Sequence, residues 1–157
     1  MTSAARVLDV LRERGLTLAI AEGDTGGLAL ERLTGVPGSS AVVLGGVVAY
    51  HDVLKQSVLG VPADLFVEHG AVSEPVVEAM AVGARRVCGA DIGAAASGIA
   101  GPGGATPTKP VGLAWLAATD GQHALTRQHM WTGDRAANRA ASVEALFDLI
   151  LELVQMR

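Results

Sequence analysis

The chain has 157 residues and a formal net charge of −4, and its twelve lysines and arginines form no run longer than Arg85-Arg86. A chain with so little clustered positive charge is not expected to bind nucleic acid. Half of the residues are hydrophobic and only 18% are charged, so the chain can bury a core and is not expected to be disordered. We therefore expect a single domain over residues 1–157.

The sequence also gives no indication of a disulfide, a metal site or a membrane segment. Cys88 is the only cysteine, which excludes an internal disulfide and a cysteine-rich metal site. The four histidines have no ligand-like spacing, so we expect no metal. Arg6, Asp9 and Arg12 interrupt the apolar N-terminus, which therefore does not read as a signal peptide. With no apolar stretch of the ~18 residues that span a bilayer, we expect a cytoplasmic protein without membrane contact.

Periodicity and turn signals predict strands that alternate with helices. Helices are predicted over 3–15, from Thr25 to about Leu33, over 52–59, from Ser73 onward and after Asp134, with Asp24, Ser73 and Asp134 as N-caps. Strands are predicted over 17–21, 41–50, 91–97, 111–119 and 123–131, with a hairpin turn at Asp120-Gly121. The valine-rich run 41–50 is expected to be buried.

This alternation favours an α/β domain, a three-layer α/β/α sandwich around a mixed, mostly parallel sheet. In such sheets ligands collect at the carboxyl ends of the strands. Three segments are expected there: the corner 22–27, the strand exit at Tyr50 and the glycine-rich loop 98–109.

The glycine-rich loop and the pair Tyr50 and Lys55 each admit two interpretations. The loop follows Ser97 and carries neither a Walker ending nor a dinucleotide fingerprint, so it is either a plain turn or a loop whose backbone approaches a ligand. Lys55 follows Tyr50 by five residues. The two either assist proton transfer in a partly dry cleft, or are a half-buried tyrosine and a solvated surface lysine.

Five sequence blocks together resemble one family, the CinA C-terminal domain family (competence/damage-inducible protein A), from about residue 5 to residue 155. The blocks are AEGDTGG, GVPGSSAVV, VAYHDVLKQSVLGV, HGAVSEPVVEAMAVGA and SGIAGPGGATPTKPVG. The resemblance implies hydrolysis of the carboxamide of nicotinamide mononucleotide to the acid, with release of ammonia. It implies no metal or organic cofactor, a nicotinamide mononucleotide-like ligand, and self-association, most simply as a dimer.

The resemblance also assigns residues by position. Lys55 and Tyr50 correspond to the lysine and tyrosine that assist proton transfer. The positions expected to border the ligand are Ser97, Gly98, Gly101, Gly103 and Gly104. The backbone N–H groups of Thr25, Gly26 and Gly27 are expected to face a phosphate or an oxyanion.

The corner 22–27 departs from the family at the nucleophile. The family reads Ala-Glu-Ser-Cys-Thr-Gly-Gly, whereas Gly23 stands here at the serine position and Asp24 at the cysteine position. Glycine cannot attack an amide, and loss of a nucleophile typically costs on the order of 10⁴ to 10⁶ in rate. Three interpretations remain open. The chain is a weakly active or inactive member that still binds a nucleotide, an amidohydrolase that uses Asp24 or an activated water, or a purely structural or partner domain.

Overall fold

A computed structural model describes residues 1–157 and contains one five-stranded sheet with helices on both faces. The strands are β1 (Leu18–Glu22), β2 (Val43–Val48), β3 (Ile92–Gly98), β4 (Leu113–Thr119) and β5 (Ala124–Met130). The helices are α1 (Ser3–Glu13), α2 (Leu28–Thr34), α3 (Asp52–Ser57), α4 (Ala63–His69), α5 (Glu74–Cys88) and α6 (Arg135–Gln155). A single 3₁₀ turn, Ser39–Ala41, precedes β2.

The sheet has the order β2-β1-β3-β4-β5. β1 pairs in parallel with both β2 and β3, whereas β4 is antiparallel to β3 and to β5. β4 is therefore the only strand that runs against the others, and the predicted mixed, mostly parallel sheet is confirmed. Because β1, β2, β3 and β5 point the same way, their carboxyl ends all lie at one edge of the sheet.

Alternate residues of the central strands face two separate cores, which makes the fold three-layered. Ile20 of β1 and Leu116 of β4 pack with α1, α2 and α6. Ala19 and Ala117, their neighbours, face α5 on the other side. α5 approaches β3 so closely that a Cβ at Gly93 would lie 2.2 Å from Ala81 O. The predicted buried core is thus confirmed, and its many small aliphatic residues permit this close spacing of the layers.

Two local predictions are corrected by the structure, which also contains one helix that the sequence pattern did not predict. Residues 41–50 do not form a buried strand: β2 is an edge strand, and Leu44 and Val48 are 49% and 42% exposed. An apolar run alone cannot distinguish the centre of a sheet from its edge. Ser73 precedes α5, but its hydroxyl donates to Gly70 O at 2.8 Å and makes no capping bond. α4 was not predicted.

The other predicted elements are confirmed to within three residues at each end. At the start of α6, Asp134 accepts from Ala137 N at 2.8 Å, which is the predicted cap. None of the helices, α6 included, combines the length and the apolar character needed to cross a bilayer.

Candidate active site

A cleft of about 270 Å³ lies at the carboxyl edge of the sheet. Its walls come from the ends of β1 and β3, the β2–α3 connection, the glycine-rich loop and the start of α6. Its lining residues are Asp24, Tyr50, Lys55, Val72, Ser97, Gly98, Ile99, Ala100, Gly101, Gly103, Gly104 and Arg135. The structure therefore brings together all three segments that the strand pattern placed at this edge.

Glu22, at the end of β1, closes the N-terminus of α2. Its side chain is fully buried, Oε1 accepts from Ala29 N at 2.8 Å, and Oε2 accepts from Leu30 N at 3.1 Å. These are backbone donors that a helix start leaves unpaired. The prediction that Asp24 caps a helix from Thr25 is wrong, because α2 begins at Leu28 and Glu22 makes the capping bonds instead.

Gly23 is buried between the ends of β1 and β3. Its N–H donates to Ala96 O at 2.9 Å, which continues the pairing of the two strands. A Cβ at this position would lie 3.2 Å from Ala96 O and 3.8 Å from the Ser97 hydroxyl oxygen. A serine side chain here would thus point toward Ser97, which lines the cleft, and the backbone would need to yield only a few tenths of an ångström.

The Asp24 side chain lines the cleft next to the start of the glycine-rich loop. Its Oδ2 lies 2.8 Å from where a Cβ of Gly98 would be, so only glycine leaves space for the carboxyl at the start of the loop. Its Oδ1 is buried and has no hydrogen-bond partner. Burial raises the pKa of Asp24 above its ordinary value, against the lowering effect of its own backbone N–H and of Arg139, Lys55 and Arg135.

Lys55 and Tyr50 do not match the second interpretation given for them, a solvated surface lysine and a half-buried tyrosine. Lys55 is only 5% exposed, and its Nζ lies 3.1 Å from Asp52 Oδ1, so it is not a solvated surface lysine. Tyr50 is 63% exposed, and its hydroxyl accepts from Arg135 Nη2 at 3.0 Å. Both side chains line the cleft. A buried ammonium group beside a polar cleft is suited to proton transfer.

The glycine-rich loop is tied to the rest of the molecule from both sides. On one side, Asn138 Nδ2 donates to Ala100 O at 3.1 Å and Arg135 Nη1 donates to Gly101 O at 2.9 Å. On the other side, the Lys109 ammonium group donates to His69 O and Val72 O. These bonds hold the loop over the cleft, so it is more than a plain turn between strands.

Ser97, at the head of the loop, is buried, and its hydroxyl donates to Ala71 O at 3.2 Å. Its side chain shares a face of the sheet with position 23, since residues 95 and 97 of β3 alternate as 21 and 23 do in β1. Ser97, Gly98, Gly101, Gly103 and Gly104 all border the cleft. Their contact with a ligand, which the resemblance implies, stays a prediction.

Thr25, Gly26 and Gly27 do not line the cleft. Gly26 N donates to Gly23 O at 3.1 Å, and Thr25 is fully buried with an unpaired hydroxyl. The expected contact between these backbone groups and a ligand assumed a helix that starts at Thr25, whereas a turn occupies these residues and α2 starts beyond them.

Arg135 and Arg139 are the residues that sequence reasoning missed. Arg135 begins α6 and lines the cleft, and Arg139, one turn later, donates to Asp24 O at 2.9 Å and to Thr25 O at 2.8 Å. The predicted hairpin could have placed these two arginines near the ligand edge. A strand that returns through a hairpin to run parallel with β1 ends at the ligand edge, so the residues that follow Trp131 belong there.

Comparison with known proteins agrees with this architecture. The family model described as "CinA C-terminal domain" matches residues 1–154. A CinA-like protein of Synechococcus sp. (strain CC9902) is 49% identical over 156 residues, which are 99% of this chain and 36% of that protein. A CinA-like protein of Prochlorococcus marinus (strain MIT 9313) is 50% identical over 137 residues, 87% of this chain and 32% of its own length. The chain thus spans about a third of the length of these curated relatives.

Two solved structures are close in shape. The competence/damage inducible protein CihA from Agrobacterium tumefaciens superposes with a TM-score of 0.93 at 36% identity, covering 96% of this chain and 93% of that one. A competence-damaged protein (CinA) superfamily protein from Klebsiella pneumoniae superposes with a TM-score of 0.94 at 33% identity and covers both chains completely. The chain belongs to the CinA C-terminal domain family.

Proposed function

We propose that this chain is a nicotinamide mononucleotide amidohydrolase-like protein that binds a nucleotide of this type but hydrolyses its carboxamide weakly or not at all. The observation that carries the proposal is that Lys55, Tyr50 and Ser97 line one cleft, while the bare backbone of Gly23 lies beside Ser97. The groups that correspond to the family's proton-transfer residues are present. The position from which a serine would attack the amide carbon has no side chain.

The chemistry expected of a complete site explains what is lost. A serine oxygen would attack the carboxamide carbon, a lysine would take up the hydroxyl proton, and the nitrogen would leave as ammonia after protonation. Water would then hydrolyse the acyl-serine ester, which releases the acid and restores the serine. With Gly23 no covalent intermediate can form at this position. Binding needs no nucleophile, so recognition of the nucleotide by the loop and by Arg135 does not depend on the missing oxygen. Self-association and a cytoplasmic location remain predictions of the resemblance and of the sequence.

The test is ammonia release from nicotinamide mononucleotide by the wild type and by Gly23→Ser. We expect little or no release by the wild type, and clearly faster release by the serine variant because Lys55 and Tyr50 already border the cleft. Gly35→Ser is the matched control. A Cβ there would meet Glu31 O at 3.3 Å, a contact like the 3.2 Å contact at Gly23, but away from the cleft.

Calorimetric titration of the wild type with the same nucleotide tests binding separately from turnover. Fast ammonia release by the unaltered chain would contradict the loss of the nucleophile and would favour Asp24 or water in its place. Absence of both binding and turnover in the folded wild type would favour a structural role.

A further inference from the structure

Asp24 lines the cleft, and its carboxyl group accepts a hydrogen bond only from its own backbone N–H. Oδ1 is buried and unpaired, although buried polar atoms in folded proteins are almost always paired. Burial of this carboxylate carries a desolvation cost that the nearby cations and its own backbone N–H offset only in part, since its pKa stays raised. Because Asp24 lines the cleft, a donor from outside the chain can approach its carboxyl group there.

Three positive side chains surround Asp24, yet each directs its hydrogen bonds elsewhere. Arg139 donates to the backbone oxygens of Asp24 and Thr25 and not to the carboxyl group. Lys55 is engaged with Asp52, and Arg135 with Tyr50 and Gly101. These charges favour the ionised form of Asp24 without occupying its acceptor positions.

The Asp24 carboxyl also has little freedom to turn away. Oδ2 occupies the space beside the Gly98 Cα, and the loop above it is held by Arg135 and Asn138. An acceptor fixed in this way can discriminate between ligand groups, because it cannot move aside for a group that it repels.

We propose that Asp24 is a specificity-determining residue that accepts a hydrogen bond from the carboxamide N–H of the nucleotide and rejects the corresponding carboxylate. This inference rests on the proposed function, since it takes the nucleotide's ring substituent to enter the cleft beside Asp24. An amide supplies the missing donor. The acid supplies only acceptor oxygens and a second negative charge in a partly dry space. The cleft therefore holds the amide form of the nucleotide and excludes the acid form.

The experiment measures the dissociation constants of nicotinamide mononucleotide and nicotinate mononucleotide by calorimetry at pH 7.5. The two ligands share the phosphate, the ribose and the ring charge, so their ratio isolates the amide. For the wild type we expect the amide to bind about tenfold more tightly, or better, given the interaction of two carboxylates a few ångströms apart. In Asp24→Asn, whose side chain both donates and accepts, the ratio is expected to fall toward one.

Asp64→Asn provides the matched control, because it removes the same charge from an exposed position in α4 and should keep the wild-type ratio. Equal affinities in the wild type, or a ratio unchanged in a folded Asp24→Asn protein, would overturn the inference while leaving nucleotide binding intact. If neither nucleotide bound the folded wild type, the proposed function would fail and this inference with it.

Discussion

Asp24 and Asp120 each lie just beyond the end of a strand, and their surroundings are opposite. At the β4–β5 hairpin, Asp120 Oδ1 accepts from Gln122 N at 2.9 Å and from His123 N at 2.7 Å, and Oδ2 lies 3.2 Å from His123 Nδ1. At the β1–α2 corner, Asp24 has three cations nearby and an Oδ1 with no partner at all.

The two pKa values follow from these surroundings. Burial raises the pKa of Asp120, but the backbone N–H groups of His123 and Gln122 and the His123 side chain outweigh it and bring the value to about 2. At Asp24 burial prevails and the pKa is raised. The hairpin therefore uses an aspartate to stabilise the fold, whereas the corner keeps one at a cost to stability. Such a cost is typical of a residue retained for binding or catalysis.

The largest effect on stability is expected at Glu22, the other carboxylate of the corner. Glu22→Ala removes both acceptors from Ala29 N and Leu30 N and leaves a void in a fully buried position. We expect the free energy of unfolding, measured in urea, to fall by about 3 kcal/mol. Glu22→Gln retains one acceptor and should lose less. A loss under about 1 kcal/mol for the alanine variant would mean that the corner does not depend on this cap.

A smaller loss is expected at the hairpin, and it should depend on pH. The native pKa of Asp120, about 2, lies below the 3.8 of an unperturbed aspartate, so its contribution to stability is present above pH 3.8 and lost as pH falls toward 2. Asp120→Ala should therefore lower the free energy of unfolding by roughly 1–2 kcal/mol at pH 7. Thermal unfolding at a series of pH values should show the two proteins converging in acid. A gap that does not narrow with acid would assign the loss to the turn geometry instead.

The smallest effect has the opposite sign. Because the pKa of Asp24 is raised, the fold favours its protonated form, and the native state loses stability as pH rises through that value. Asp24→Asn should therefore raise the free energy of unfolding by about 1 kcal/mol at pH 7. The gain should shrink as pH falls and the wild-type carboxyl takes up its proton. If Asp24→Asn were instead less stable than Asp64→Asn at pH 7, the Asp24 carboxylate would have a stabilising partner in the fold. The contrast with Asp120 would then be lost.

Sequence reasoning reached the fold because strand and helix signals here are local. Asp134 caps α6 and the Asp120-Gly121 turn joins β4 to β5, and both follow from residues within a few positions of each other. The position of β2 at the sheet edge could not be reached in this way. It depends on which strands pair, and the run Val43–Val48 is as apolar as a central strand.

The cleft was only partly predictable for the same reason. Tyr50, Lys55 and the glycine-rich loop were found because motif and strand order place them at one edge. The sequence pattern assigned the cap of α2 to Asp24, whereas Glu22 makes the capping bonds. Either carboxylate could cap a helix, and only the start of α2 at Leu28 decides between them. Arg135 was overlooked because its contacts, Tyr50 and Gly101, are distant in the sequence.

The absence of a side chain at Gly98 is tied to the aspartate at residue 24. Any side chain at 98 would need the space that the acid at 24 fills, and it would also press on Leu113 O at 3.0 Å. As long as residue 24 is aspartate, Gly98 cannot be replaced by a residue with a side chain. Residue 98 is therefore expected to stay glycine in descendants that keep aspartate at 24, whereas residue 24 can change while Gly98 is kept.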